Sequence, residues 1–333
     1  MPVRAVFGAN WGDEGKGKIT DHLALDAKYV ARFQGGKNAG RTVINDYGKF
    51  QLHLLPSGVF YPHVTKSLEA RFAVNLSILF QELDDPIERG VPHPRLAVSD
   101  RAQLVLPLHT MLDRLENDCL GDRSFGSTRV GIAPFYADKA LKIGVQVHEL
   151  FHADFLEARI VRSLETKQTL LEHLHGSEPV HPEAVFAEMS PLVSRLEPFV
   201  CDVDEMLANA LSTKIHILPE GQLGALRDPD QGIYPFPMSS SPFAGFGAVG
   251  AGSPPYGIRG IVAVTKAYSS CVGAGPFVTA SGASKRTSSE RAAAMPENTG
   301  PPPAVPDGLA GSMPWPPDTV AACRAPLRWH LRT

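Results

Sequence analysis

The stretch GANWGDEGKGKITD, residues 8–21, follows the apolar run VRAVFG and sets four glycines and two lysines around Asp13 and Glu14. Glycine costs backbone entropy, so this density marks a backbone that approaches something closely or an unconstrained loop. Gly12 to Lys18 fits the spacing G-x-x-x-x-G-K. In that pattern successive backbone N–H groups and a helix N-terminus surround a polyphosphate, and lysines add positive charge. Ile19 stands where a Ser or Thr magnesium ligand is usual, which leaves Asp13 as the nearest oxygen donor for a metal. An ordinary glycine turn satisfies the same spacing.

Outward from this stretch, VRAVFG, KYVARF and KIHILPEG read as buried strands closed by glycine or polar turns. NLSILFQELDDPIERG and the long segment from His181 to Ser212 read as helices. Strands alternating with helices predict an α/β fold: a large, mainly parallel central sheet flanked by helices. A second glycine cluster, FQGGKNAGRT (33–42), follows a strand-like segment. Its glycines permit close approach, and Asn38 and Thr42 can hydrogen-bond a base or phosphate. Alone it fits a loop with a solvated Lys37; beside the first cluster it forms a second wall of a nucleotide site.

The totals exclude several classes. The 333 residues hold 32 basic and 35 acidic side chains, so no basic excess points to a nucleic-acid surface. Cys119, Cys201, Cys271 and Cys323 lie far apart without C-x-x-C spacing, which fits a reducing cytoplasm better than a disulfide framework. No apolar run approaches a membrane span. From Val278 to Thr333 there are nine prolines and no Ile, Phe or Tyr. Such a segment offers little to a core and predicts a disordered tail. The expected division is therefore an α/β domain over 1–279 and an aberrant tail over 280–333.

WGDEGKGK (11–18) together with QGGKNAGRT strongly resembles the adenylosuccinate synthetases. LHLLPSGVF (52–60), FGSTRVGIAPFYADK (125–139), PEGQLGALRDPDQGIYPF (219–236) and VTKAYSSCVGAGPF (264–277) extend the resemblance in family order. It implies a two-step reaction of GTP, IMP and L-aspartate with Mg2+ in a cytoplasmic homodimer. A base removes the N1 proton of IMP, the 6-oxygen attacks the γ-phosphate, and aspartate displaces phosphate from 6-phosphoryl-IMP. Carried over by the resemblance, Asp13 is the base, with Lys16 and Arg41 as its catalytic companions. GTP would meet Gly12, Asp13, Glu14, Gly15, Lys16, Gly17, Lys18, Gly40, Arg41 and Thr42. IMP would meet Asp13, Lys16, Asn38, Ala39, Gly40, Arg41, Thr128, Lys142, Gln222 and Ser239. Asp13 and the Gly40 carbonyl would hold the metal. Read without the family, Asp13 also suits a helix cap, the lysines a solvated surface and Gly40 a turn.

Several positions depart from the family pattern. Arg41 stands where the family has a general-acid histidine, and arginine stays protonated at neutral pH, so only electrostatic help remains. Val130 replaces an arginine, Leu223 a glutamine and Met238 a phosphate-binding threonine. The family's later segments, whose threonine-rich loop grips aspartate and whose final motif reads guanine, are not written in the chain. Codons permitted by residues 298–332 in a shifted frame nevertheless spell YGATTGRPRRPGWLD and beyond. This predicts a one-frame shift near Ala280, and with it loss of the second-step machinery. A non-catalytic IMP or nucleotide binder is the alternative.

Overall fold

A computed structural model describes residues 3–275 except 122, 123, 125 and 268. The division expected after residue 279 lies outside the described residues.

Seven strands form a parallel sheet in the order β11-β1-β10-β2-β5-β7-β9. They are β1 (Val3–Gly8), β2 (Tyr29–Arg32), β5 (Thr65–Leu68), β7 (Arg95–Ser99), β9 (Val200–Cys201), β10 (Ile217–Gly224) and β11 (Ile258–Val264). Both faces are covered, which is why these strands read as continuous apolar runs. Alternation sorts the side chains. Val6, Val30 and Leu218 pack with Ala24 of α1 (Lys16–Ala24) on one face. Val3, Ala31 and Ile217 pack with Val203 and Leu207 of α7 (Val203–Ser212) on the other.

Most of the remaining elements share a large apolar lobe. β3 (Arg41–Asn45) and β4 (Gly48–Leu52) form an antiparallel hairpin, and β6 (Ala73–Val74) pairs with β8 (Gln103–Leu104). Helices α2 (Leu76–Glu88), α3 (Pro107–Leu120), α4 (Ile132–Leu141), α5 (Ala153–Thr169) and α6 (Pro182–Leu196) follow, with the short α8 (Ala244–Gly250) later. A core that includes Phe50, Leu55, Phe72, Leu79, Leu112 and Ile160 joins the hairpin to this lobe.

Two segments differ from the sequence expectation. The segment from His181 to Ser212 is not one helix: α6 and α7 are separated by a short 3-10 turn and β9. Pro198 cannot continue an α-helical hydrogen-bond ladder, and Asp202 caps α7 by accepting from the Glu205 amide at 2.9 Å. The strand read as KIHILPEG begins only at Ile217, because Lys214 sits at φ 59° in the turn that closes α7.

The order of the sheet positions the site. β1, β2, β10 and β11 are neighbours, so the segments leaving their carboxyl ends gather on one rim. This is the edge where open α/β sheets bind ligands.

Candidate active site

The glycine-rich turn at residues 8–18 is closed from within. Glu14 is buried, and its Oε1 accepts from the amides of Asn10 at 3.0 Å and Gly12 at 2.7 Å. Its Oε2 takes Lys16 Nζ at 2.9 Å, and the same ammonium donates to the Gly12 carbonyl at 2.9 Å. Burial pushes the Lys16 ammonium below its usual range, against the charge of Glu14 that holds it up. Gly12 has φ 102°, and a Cβ there would lie 2.7 Å from Leu223 Cα. Gly15, at φ 77°, caps α1, whose first residue is Lys16. Gly17 packs closely on Arg41, whose side chain a Cβ there would meet at 3.0 Å. Lys18 and Asp13 face solvent.

The second wall leaves β2. Gln222, on β10, accepts at Oε1 from the Arg32 guanidinium and, at 3.1 Å, from the Gly36 amide. Its Nε2 donates to the Gly36 carbonyl at 3.0 Å and to Asn38 Oδ1 at 2.8 Å. Asn38 Oδ1 also accepts from the Gly36 amide, so both side chains shape the loop that carries Ala39 and Gly40. Thr42 belongs to β3, opposite Gln51. Arg41 turns inward: it pairs with buried Glu220 at 3.4 Å and donates to the Leu55 carbonyl. Glu220 further accepts from the amide and hydroxyl of Ser57 at 2.9 and 2.7 Å.

A third element was not recognised as part of the site from the sequence. Immediately after β11, Lys266 Nζ donates to Asp13 Oδ2 at 2.8 Å, and Ser270 Oγ donates to the same oxygen. Asn10 Nδ2 reaches Thr265 Oγ1 at 3.2 Å. Buried Arg227 donates to the carbonyls of Phe236 at 2.6 Å and Val272 at 3.1 Å, and its guanidinium lies 5.4 Å from the Trp11 ring centroid. The sequence signal was present in VTKAYSS: polar residues directly after a buried strand.

The other expected residues are placed more loosely. Thr128 is exposed on a loop anchored by Asp113, which accepts from Ser127 Oγ and from the Gly131 amide at 2.8 Å. Close packing of Gly126 on Ala274 ties this loop to the segment after β11. Ser239 is exposed beside buried Ser240, whose hydroxyl donates to Gln34 at 2.9 Å. Lys142 ends α4 at φ 63°; its amide donates to the Lys139 carbonyl, and its exposed side chain has no hydrogen-bonding or charged partner among the described residues. One chain therefore brings together residues 12–18, 38–42 and 222, but leaves Lys142 apart.

This geometry supplies backbone amides, cations and one accessible carboxylate along one rim of the sheet. A sequence model of the adenylosuccinate synthetases matches residues 5–301. The chain belongs to the adenylosuccinate synthetase family. The adenylosuccinate synthetase of Dehalococcoides mccartyi is 42% identical over 279 residues, covering 84% of this chain and 66% of that relative. That of Lactococcus lactis subsp. lactis is also 42% identical, covering 84% and 65%. The solved, fully ligated adenylosuccinate synthetase from Plasmodium falciparum superposes with a TM-score of 0.77 at 30% identity, covering 84% of this chain and 65% of that one. The chain thus spans just under two thirds of the length of these relatives.

Magnesium fits the residues at the rim. Asp13 already takes a cation, the Lys266 ammonium, on one oxygen. Among the described residues no group of three or more His, Cys, Asp or Glu could hold a metal, and magnesium characteristically uses one or two carboxylates completed by substrate phosphates.

Proposed function

We propose that this chain binds GTP and IMP at the rim and catalyses at least the first step of adenylosuccinate synthesis, the phosphorylation of IMP on its 6-oxygen. L-aspartate would then displace the phosphate. One observation carries this reading: Asp13 is exposed on the glycine-rich 12–18 turn, whose Gly12 and Gly17 lie against Leu223 and Arg41, beside the 35–40 loop that Gln222 holds in shape.

Phosphoryl transfer asks for positioning and charge neutralisation more than for covalent help. The amides of residues 13–17 would hold the β- and γ-phosphates against the N-terminus of α1, while Glu14 keeps the Gly12 amide. Lys16 would exchange or extend its contact with Glu14 to meet them, with Lys18 beside it. Asp13 would take the proton from N1 of IMP, and Asn38, Ala39, Thr128, Gln222 and Ser239 would surround the nucleotide. Asp13 and the Gly40 carbonyl would hold Mg2+, which supplies charge neutralisation on the phosphates when bound. Arg41, paired with Glu220, would contribute charge beside Gly17 and Thr42 and no proton.

The resemblance also supports a cytoplasmic homodimer, in which Lys142 would reach the partner's site; its freedom within one chain suits that role. Among the described residues no helix is long and apolar enough to cross a membrane. The composition of residues 280–333 favours a chain impaired in the second step. The coding DNA tests this directly: if the alternate frame past Ala280 does not encode GATTGRPRR, the frameshift reading fails. A remnant that binds IMP without turnover is the second reading, favoured by the same composition. Titration calorimetry with IMP and GTP, followed by a GTP-, IMP- and aspartate-dependent assay, separates the readings. Binding without product supports the remnant, full turnover refutes the impairment, and retention of neither nucleotide refutes the proposal.

A further inference from the structure

The carboxylate proposed as the base is held from outside its own loop. Asp13 is flanked by a glycine at φ 102° and has a side chain 46% exposed, so neither backbone nor packing fixes its orientation. Both of its hydrogen bonds among the described residues end on Oδ2, one from Lys266 Nζ at 2.8 Å and one from Ser270 Oγ. Lys266 also donates to Ser270 Oγ at 2.7 Å, so the two donors hold each other. Oδ1 accepts from none of the described residues. The clasp rests on a firm base: β11 runs beside β1 in parallel register, Gly8 opposite Val264, and the Ala9 amide donates to the Val264 carbonyl at 2.8 Å.

We propose that Lys266 is a positioning residue for Asp13, with Ser270 as its companion. The clasp holds Oδ2 and turns Oδ1 to the N1 proton; the Asp13 contact with Mg2+ would therefore be made on Oδ2 in place of Ser270, with Lys266 retained. This rests on the reading under Proposed function. In the step itself the proton moves from N1 to Oδ1, the 6-oxygen bonds to the γ-phosphorus, and the bond to the leaving GDP breaks. A charge-assisted contact to one oxygen orients a carboxylate without contacting the substrate, so it acts on rate rather than affinity. An exposed ion pair contributes little to stability. The proposed role and a merely structural role therefore predict different measurements.

The test uses the full chain and the variants K266M, K266R and S270A, with IMP affinity by calorimetry and single-turnover GDP formation from GTP, Mg2+ and IMP. K266M is expected to slow GDP formation about 100-fold, with IMP affinity within about threefold and Tm within about 2 °C. K266R should recover most of the rate. GDP formation by K266M at the parental rate overturns the inference, and so does a loss that only follows a fallen Tm. If the parent binds IMP but forms no GDP, crystal structures of the IMP complexes decide. Oδ1 facing N1 in the parent and a reoriented carboxylate in K266M support the clasp; the same orientation in both, or Oδ2 facing N1, overturns it. A parent that binds neither nucleotide overturns the proposed function itself, a result distinct from an Asp13 indifferent to Lys266.

Discussion

Glu14 determines the shape of the 12–18 turn, because one buried carboxylate satisfies two amides and the buried Lys16 ammonium. Truncating it leaves Lys16 buried without its partner, so E14A is expected to cost about 3 kcal/mol, read as a lowered midpoint in urea. E14Q keeps an acceptor for the two amides and should cost less. Gly12 is constrained differently. A side chain there meets the Leu223 backbone and a φ that L-residues avoid, so G12A should destabilise by about 1–3 kcal/mol and weaken GTP binding in calorimetry. The glycine spacing made this loop legible in the sequence. The direction of Lys16 was not, because a pair two residues apart meets only once the loop's conformation is known. Lys266 was hidden for another reason: 253 residues separate it from Asp13.

Between elements, Asp138 ties three helices together. It lies on α4 and accepts from His109 Nε2 of α3 at 2.8 Å, while Lys167 Nζ of α5 lies 2.6 Å away. The Leu106 amide donates to His109 Nδ1 at 2.9 Å, which fixes the proton on Nε2 and joins the N-terminus of α3 to the network. Burial works to raise the Asp138 carboxyl, but the hydrogen bonds from His109 and Lys167 outweigh it and hold it below the usual range. D138A should cost about 3–5 kcal/mol in chemical denaturation, since Lys167 would be stranded. The same helices carry Asp113 and so shape the loop bearing Thr128, and D138A should also weaken IMP binding in calorimetry. At this scale the sequence was readable where one signal ruled: VRAVFG and KYVARF are apolar runs closed by polar turns. It misled between His181 and Ser212, where an apolar pattern ran on past Pro198. The proline and the Asp202 cap were the available signals. Pro86 and Pro191 lie within helices, so a proline alone does not mark a break.

At the scale of the whole molecule, the buried pair of opposite shifts at Glu69 and Lys66 gives stability an uncommon pH dependence. Glu69 is fully buried, with Oε2 unpartnered, and burial pushes its carboxyl up from 4.5 to about 8. Between those values the native chain keeps a proton that the unfolded chain releases, so stability falls as pH rises through the window. Lys66 does the reverse. Burial, followed by the charge of Arg95, brings its ammonium down from 10.5 to about 7, and between these values the unfolded chain binds the extra proton. Its contribution to stability therefore rises with pH over that range. Thermal melts should show E69Q near the parent at pH 4.5 and above it at pH 8.5, whereas K66M should lose the gain above pH 7. The strand order has a temporal consequence as well. A ribosome delivers β1 and its glycine-rich turn first, yet the platform beneath that turn, β10, arrives some two hundred residues later, and the arm carrying Lys266 later still. During translation the nascent chain holds a nucleotide-binding signature with nothing to rest on, so added GTP should not protect it from proteolysis until β11 has cleared the exit tunnel.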